Sequence, residues 1–201
     1  MTIVEDRPVA GHEAARKAMI DSQLRTSGIN AEWVLRRMAE VPRERFVPGS
    51  AGGHAYIDRA IALGNGRSLA APVVQGMMLQ EARPAASDSA LLVDGGSGYL
   101  AELVRPLVGT LEVLGPADAS AKSRKSGDIT LLLIDGAAEQ LPDALVRRLA
   151  DGARVVAGVV EDGITRLAIG RKVAGEVALL PLAEMGIPVL PELAAPKGWS
   201  F

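Results

Sequence analysis

LLVDGGSGYLAELV, residues 91–104, decides the fold. Its apolar start, with Ala90 before it, is too short for a helix and reads as a buried strand. Gly95, Gly96 and Gly98 then form a turn, and YLAELVRPLV restores helical spacing until Pro106 bends or ends it. Strand, glycine turn and helix in that order make the unit on which α/β folds hold nucleotide-like ligands. Taken alone the motif is weak, because many such folds carry a glycine turn without a ligand. Asp94, at the mouth of the turn, stands where a glycine is usually wanted.

Downstream the alternation continues. LEVL (111–114) and ITLLLID (129–135) read as strands, and LPDALVRRLA as a helix with Pro142 near its start. ARVVAGVV follows as a strand, and ITRLAIGRK with EVALLPLA as a terminal antiparallel pair. This pattern implies a three-layer α/β domain, with helices on both faces of a mostly parallel sheet. The tail IPVLPELAAPKGWSF holds three prolines and is expected to lie extended over the surface.

Upstream the rhythm is helical. Ala15, Ala18, Met19 and Ser22 place a helix over 12–25, which Gly28 stops. Ala31 to Ala39 reads as a second helix with Asn30 as its N-cap. The prolines of VPRERFVP bracket an ordered turn, and residues 54–64 read as irregular or weakly extended. LAAPVVQGMMLQEA returns to helical spacing through Val73, Val74, Met77, Met78 and Ala82. The expected division is an N-terminal helical part over 1–86, then a Rossmann-like α/β domain over 87–201.

Composition removes several function classes. Nearly half of the 201 residues are apolar (48%), enough for one buried core, and aromatics at 3% leave that core to aliphatic side chains. Twenty-two basic residues against 24 acidic ones argue against nucleic acid as a main partner. No apolar run reaches the roughly 18 residues of a membrane span, and no export signal is evident, so the cytoplasm is the expected compartment. The absence of cysteine excludes disulfides and thiolate zinc sites, and the two histidines, His12 and His54, lack metal-ligand spacing. A Ser–His–Asp hydrolase would lack its nucleophile turn.

Several segments, in order, carry a resemblance: MIDSQLRTSGI, VLRRMAEVPRERFVP, AYIDRAIALGNGRSLAAPVVQGMML, the turn ending GSGY, LLLIDGAAEQLPDALVRRLADGARVV, and VLPELAAPKGWSF. VPRERFVP followed by AY is the most specific. Together they resemble the protein-L-isoaspartate O-methyltransferases, in a divergent bacterial branch. The resemblance implies a class I methyltransferase sheet with an added N-terminal helical part. It also implies S-adenosylmethionine as cofactor and a protein or peptide substrate, whose isoaspartyl carboxylate is methylated as a repair step.

The site departs from that family in three places. The first is the cofactor turn. Without gaps, Leu92 takes the family's acidic position and Asp94 that of the first glycine; with one residue lost, Asp94 is the acid and Gly95 stands beside it. Asp94, Gly95, Gly96 and Gly98 are the cofactor-binding candidates, set against a plain strand-to-helix turn. The second is the ribose side. Leu114-Gly115-Pro116 ends the second strand without the family's Glu; Glu112 and Asp118 lie nearby, more plausibly as exposed side chains. Only 14 residues, 115–128, then precede the strand at 129, whereas the family fits a helix, a strand and another helix there. One βαβ unit takes about 30 residues, so a strand and its helices are lost. Lys122, Arg124 and Lys125 in that loop read as a phosphate site or as a solvated charge run.

The third departure is catalytic. GNGRSLAAPVVQGMML matches the segment carrying a Thr-Ile-Ser-Gln-Pro core, with Ser68 at the Thr position and Ala70 and Ala71 at the Ser and Gln positions. Methyl transfer needs the carboxylate held in line with the sulfonium methyl, and two alanines offer no hydrogen bond for that. Ser68 is the one catalytic candidate; capping the following helix is its alternative role. Asp135, at a strand end where open sheets bind ligands, is a further cofactor-side candidate, or an Asp-Gly turn former. Two functions follow. One is a degenerate, non-catalytic descendant, a pseudoenzyme kept as a binding or assembly module, with a homodimer, or a partner docked near the sheet edge exposed by the lost strand or on the apolar C-terminal tail. The other is a working carboxyl methyltransferase with a reduced site.

Overall fold

The computed structural model describes residues 7–121 and 127–195. The chain runs through α1 (Arg7–Met19), α2 (Glu32–Glu40), β1 (Ile61–Gly64), β2 (Arg67–Leu69), α3 (Pro72–Ala82), β3 (Ser89–Val93), α4 (Tyr99–Val104), β4 (Thr110–Leu114) and α5 (Pro116–Ala119). β5 (Ile129–Ala138), α6 (Asp143–Arg148), β6 (Leu149–Glu161), β7 (Ile164–Val173) and β8 (Glu176–Glu184) complete it. The six-stranded sheet has the order β4-β3-β5-β6-β7-β8. β4, β3, β5 and β6 are parallel, and β7 and β8 return antiparallel. This is the three-layer α/β architecture expected from the sequence.

The strand period of two divides the core. Leu92, Leu131, Leu133 and Val156 face a cluster with Met38, Val74, Met78, Leu100 and Leu103. Leu91, Val93, Leu132, Ile134 and Val155 face Leu145, Leu149, Leu190 and Leu193 on the other side. Both faces of the central strands are therefore covered, which explains why LLLI, residues 131–134, is continuously apolar rather than alternating. Residues on both sides of the 86/87 boundary share the first cluster.

Three local expectations change. Helix α1 gives way to a π-helical turn over Ile20–Leu24, closed by the Arg25 N–H bonding to the Ile20 carbonyl at 3.2 Å. Asn30 is not an N-cap. Ala31 takes that place without a side-chain bond, and the Asn30 and Ala31 N–H groups instead donate to Gln80 Oε1 at 3.1 and 3.2 Å. Residues 61–69 form a β-hairpin whose Asn65 and Gly66 have φ of 50° and 72°, the left-handed pair that a tight hairpin loop requires.

The tail does more than lie on the surface. Leu190 N–H donates to the Ala137 carbonyl and Ala137 N–H to the Pro188 carbonyl, at 2.9 and 2.8 Å, so the chain pairs with the far end of β5. Ile187, Leu190 and Leu193 are buried. Residues 187–195 thus cross the carboxyl end of the sheet, the edge where open α/β sheets bind ligands. No helix among the described residues is long and apolar enough to cross a membrane.

Candidate functional site at the carboxyl edge

Asp94 continues β3 by one bond, its N–H donating to the Leu114 carbonyl at 2.9 Å. Its side chain then folds back into the glycine turn. Oδ1 accepts the Gly98 N–H at 2.9 Å and Oδ2 the Gly96 N–H at 3.1 Å. The carboxylate thus sits at the amino end of α4, where free N–H groups and the helix dipole favour an anion. The turn supplies that anion itself.

The three glycines have different reasons. Gly96 and Gly98 have φ of 110° and 72°. Gly95 is required by closeness: a Cβ there would lie 2.2 Å from the Asp135 carbonyl oxygen. Gly95 is thus fixed by close packing and not by a positive φ.

Asp135 lies inside β5 and is buried rather than set in an exposed Asp-Gly turn. Gln75 of α3 donates its amide to both carboxylate oxygens, at 3.1 and 3.0 Å. Burial, and next the negative charge of Asp94, push the Asp135 carboxyl up to about 7; Gln75, the Arg43 charge and Ser97 oppose them. Gln75 is held from its other end by Arg43, whose guanidinium donates to Gln75 Oε1 at 2.6 Å. Arg43 is fully buried, with further bonds to the Ala55 carbonyl at 2.8 Å and to the Ala70 carbonyl, and it lies 4.9 Å from the Tyr99 ring centre. A polar chain Arg43–Gln75–Asp135 therefore joins the helical part to the ligand edge of the sheet.

Ser68 lies in β2, opposite Ala62. The N-cap of α3 is Ala71, without a side-chain bond, so the capping role is not Ser68's. Beside it, Arg67 lays its stem on the turn, so that a Cβ at Gly96 would meet Arg67 Cγ, Cβ and Cδ at 3.0–3.2 Å. The guanidinium forks onto Glu192 of the tail, at 2.5 and 3.1 Å. Hairpin, glycine turn and tail meet through that ion pair.

On the ribose side, Glu112 pairs with Arg148 of α6 at 2.6 Å and Asp118 is exposed. Glu112 is thus partnered rather than simply solvated. β4 is the edge of the sheet. Lys122, Arg124 and Lys125 fall outside the described residues. His12 faces Glu44 at 3.6 Å, and no group of three potential metal ligands gathers among the described residues.

Known proteins share this fold. The profile of the family described as protein-L-isoaspartate(D-aspartate) O-methyltransferase matches residues 14–115. A protein-L-isoaspartate O-methyltransferase of Koribacter versatilis is 31% identical over 193 residues, covering 84% of this chain and 87% of its own. This chain belongs to the protein-L-isoaspartate O-methyltransferase family. A member from Aeropyrum pernix is 45% identical over 100 residues, covering 47% of this chain and 38% of its own. Among solved structures, a protein described as a putative family member from Plasmodium falciparum, in complex with S-adenosyl-L-homocysteine, superposes with a TM-score of 0.71. It is 17% identical and covers 90% of this chain and 98% of its own, which supports the shared fold. The family uses S-adenosylmethionine and acts on isoaspartyl residues of proteins and peptides.

Within this family member, the structure brings Asp94, Gly95, Gly96, Gly98 and Asp135 together and leaves Ser68 without a hydrogen bond into that group. Gln75, Arg43, Arg67 and Glu192 complete the site and were not singled out from sequence. Their partners lie 32, 60 and 125 positions away, beyond any local pattern. The Asp94 carboxylate takes two amides of the turn, and the Arg67–Glu192 pair lies beside it.

Proposed function

We propose that this family member does not transfer methyl groups and is retained as a binding or assembly module. The observation that carries the reading is the Asp94 carboxylate in its own glycine turn, accepting from Gly96 and Gly98. A bound S-adenosylmethionine would bring its own carboxylate and ribose to amides already bonded, beside a fixed negative charge. Ala70 and Ala71 offer no side-chain donor to orient a substrate carboxylate. The surface for such a module is the open edge β4, where Val113 is exposed, and a homodimer through that edge is the expected assembly. A clean monomer at high micromolar concentration, by size exclusion with light scattering, would refute the assembly.

The second reading is an active carboxyl methyltransferase, with Asp94, Gly95, Gly96, Gly98 and Asp135 on the cofactor and Ser68 toward the substrate. It is favoured by the positive φ kept at Gly96 and Gly98, a backbone that admits close approach of a ligand. An isoaspartyl-peptide assay with labelled S-adenosylmethionine separates the two. The module reading expects no transfer above the uncatalysed background, and sustained turnover would sink it.

A further inference from the structure

Arg67 and Glu192 stand 125 residues apart and meet over the glycine turn as a two-point fork. The fork is the geometry by which a guanidinium reads a carboxylate. Two features fix its place. The stem of Arg67 rests on Gly96, and the tail carrying Glu192 is pinned by Leu190, packed against Gly136, and by backbone bonds from Glu139 and Gln140 to the Leu193 carbonyl at 3.0 and 3.2 Å. Both side chains are partly open to solvent, at 26% and 31%. A pair so placed is held weakly and exchanges with a competing carboxylate through side-chain rotation alone, with the tail still anchored.

We infer that Arg67 is the carboxylate-recognition residue of this crevice and that Glu192 is an internal stand-in for the carboxylate of a peptide ligand. The inference rests on the module reading, because it gives the site a peptide carboxylate to bind without any methyl transfer. Asp94, on the other side of the Gly96 backbone, disfavours a second negative group deeper in the turn. A single carboxylate on a peptide therefore fits the mouth better than a polyanion.

The test is fluorescence anisotropy with a labelled hexapeptide containing one isoaspartyl residue, beside a matched peptide in which that carboxylate is an amide. Glu192→Gln keeps the shape and removes the competitor. The free carboxylate peptide is expected to bind it about threefold to fivefold more tightly than the parent protein, the amide peptide unchanged. Adding Arg67→Gln is expected to abolish the gain. No gain, no measurable binding, an equal gain for the amide peptide, or a gain that survives Arg67→Gln would each overturn the inference. In the unmodified protein, acetate is expected to shift the Arg67 Nε–H signal in NMR, and a stationary signal counts against it in the same way. S-adenosylmethionine titrated into these proteins keeps the two readings apart: cofactor binding defeats the module reading, whereas a missing carboxylate gain defeats the Arg67 assignment alone.

Discussion

Gln75 donates to both carboxylate oxygens of Asp135, and burial pushes the carboxyl it holds up to about 7, well above the ordinary carboxylate range. Burial outweighs the hydrogen bonds. In the unfolded chain Asp135 ionises near its ordinary value; in the folded chain it keeps its proton up to about 7. Folded protein thus binds more protons between those limits, so this group's contribution is full below about pH 4 and is lost as pH rises through 7.

Asp135→Asn isolates that effect. Asp88, held low against desolvation by bonds to Ala85, Thr130 and Arg154, has the opposite pH dependence, so the difference between variant and parent is the quantity to read. Urea unfolding at pH 4, 6 and 8 is expected to show near-equal stabilities at pH 4. At pH 8 the variant is expected to lead by up to about 4 kcal/mol. A lead that is the same at both ends would contradict the assignment.

The glycine turn ranks its own substitutions. Gly95→Ala drives a Cβ into the Asp135 carbonyl, a backbone atom that cannot swing away, and is expected to cost more than about 3 kcal/mol. Gly98→Ala meets nothing within 4 Å and carries only the strain of φ 72°, about 1–2 kcal/mol. Denaturant midpoints check the order, and equal costs would mean that the close approach is not real.

Arg43 holds three acceptors that no neutral side chain can serve. Arg43→Met leaves the Ala55 and Ala70 carbonyls and Gln75 Oε1 without that donor, and a loss above about 3 kcal/mol is expected. Arg43→Lys keeps the charge but not the fork and is expected to recover less than half of that loss. Thermal unfolding of the two variants measures both.

Much of the fold was legible because local pattern and tertiary role agree. The run ITLLLID reads as a strand and is one, with both faces covered in the structure; the turn after Val93 reads as strand-to-helix and is one. Residues 54–64 read as irregular or weakly extended and the hairpin at 61–69 goes unread, although Asn65-Gly66 is a strong short-range hairpin signal. Its flanking strands are only four and three residues long, too short to show alternation. The site was half legible. Asp94 and Asp135 stand out beside glycines at strand ends, whereas Gln75 sits on a helix whose apolar spacing hides one inward amide. Arg67 and Glu192 look like surface charges until the tail is brought back across the sheet.

Titration calorimetry with S-adenosylhomocysteine, on the parent protein and on Asp94→Gly, tests the central claim most directly. The parent is expected to give no heat of binding at micromolar ligand, and the variant, with the Gly96 and Gly98 amides released, a measurable gain. Micromolar affinity in the parent, unchanged or weakened in Asp94→Gly, would contradict the account.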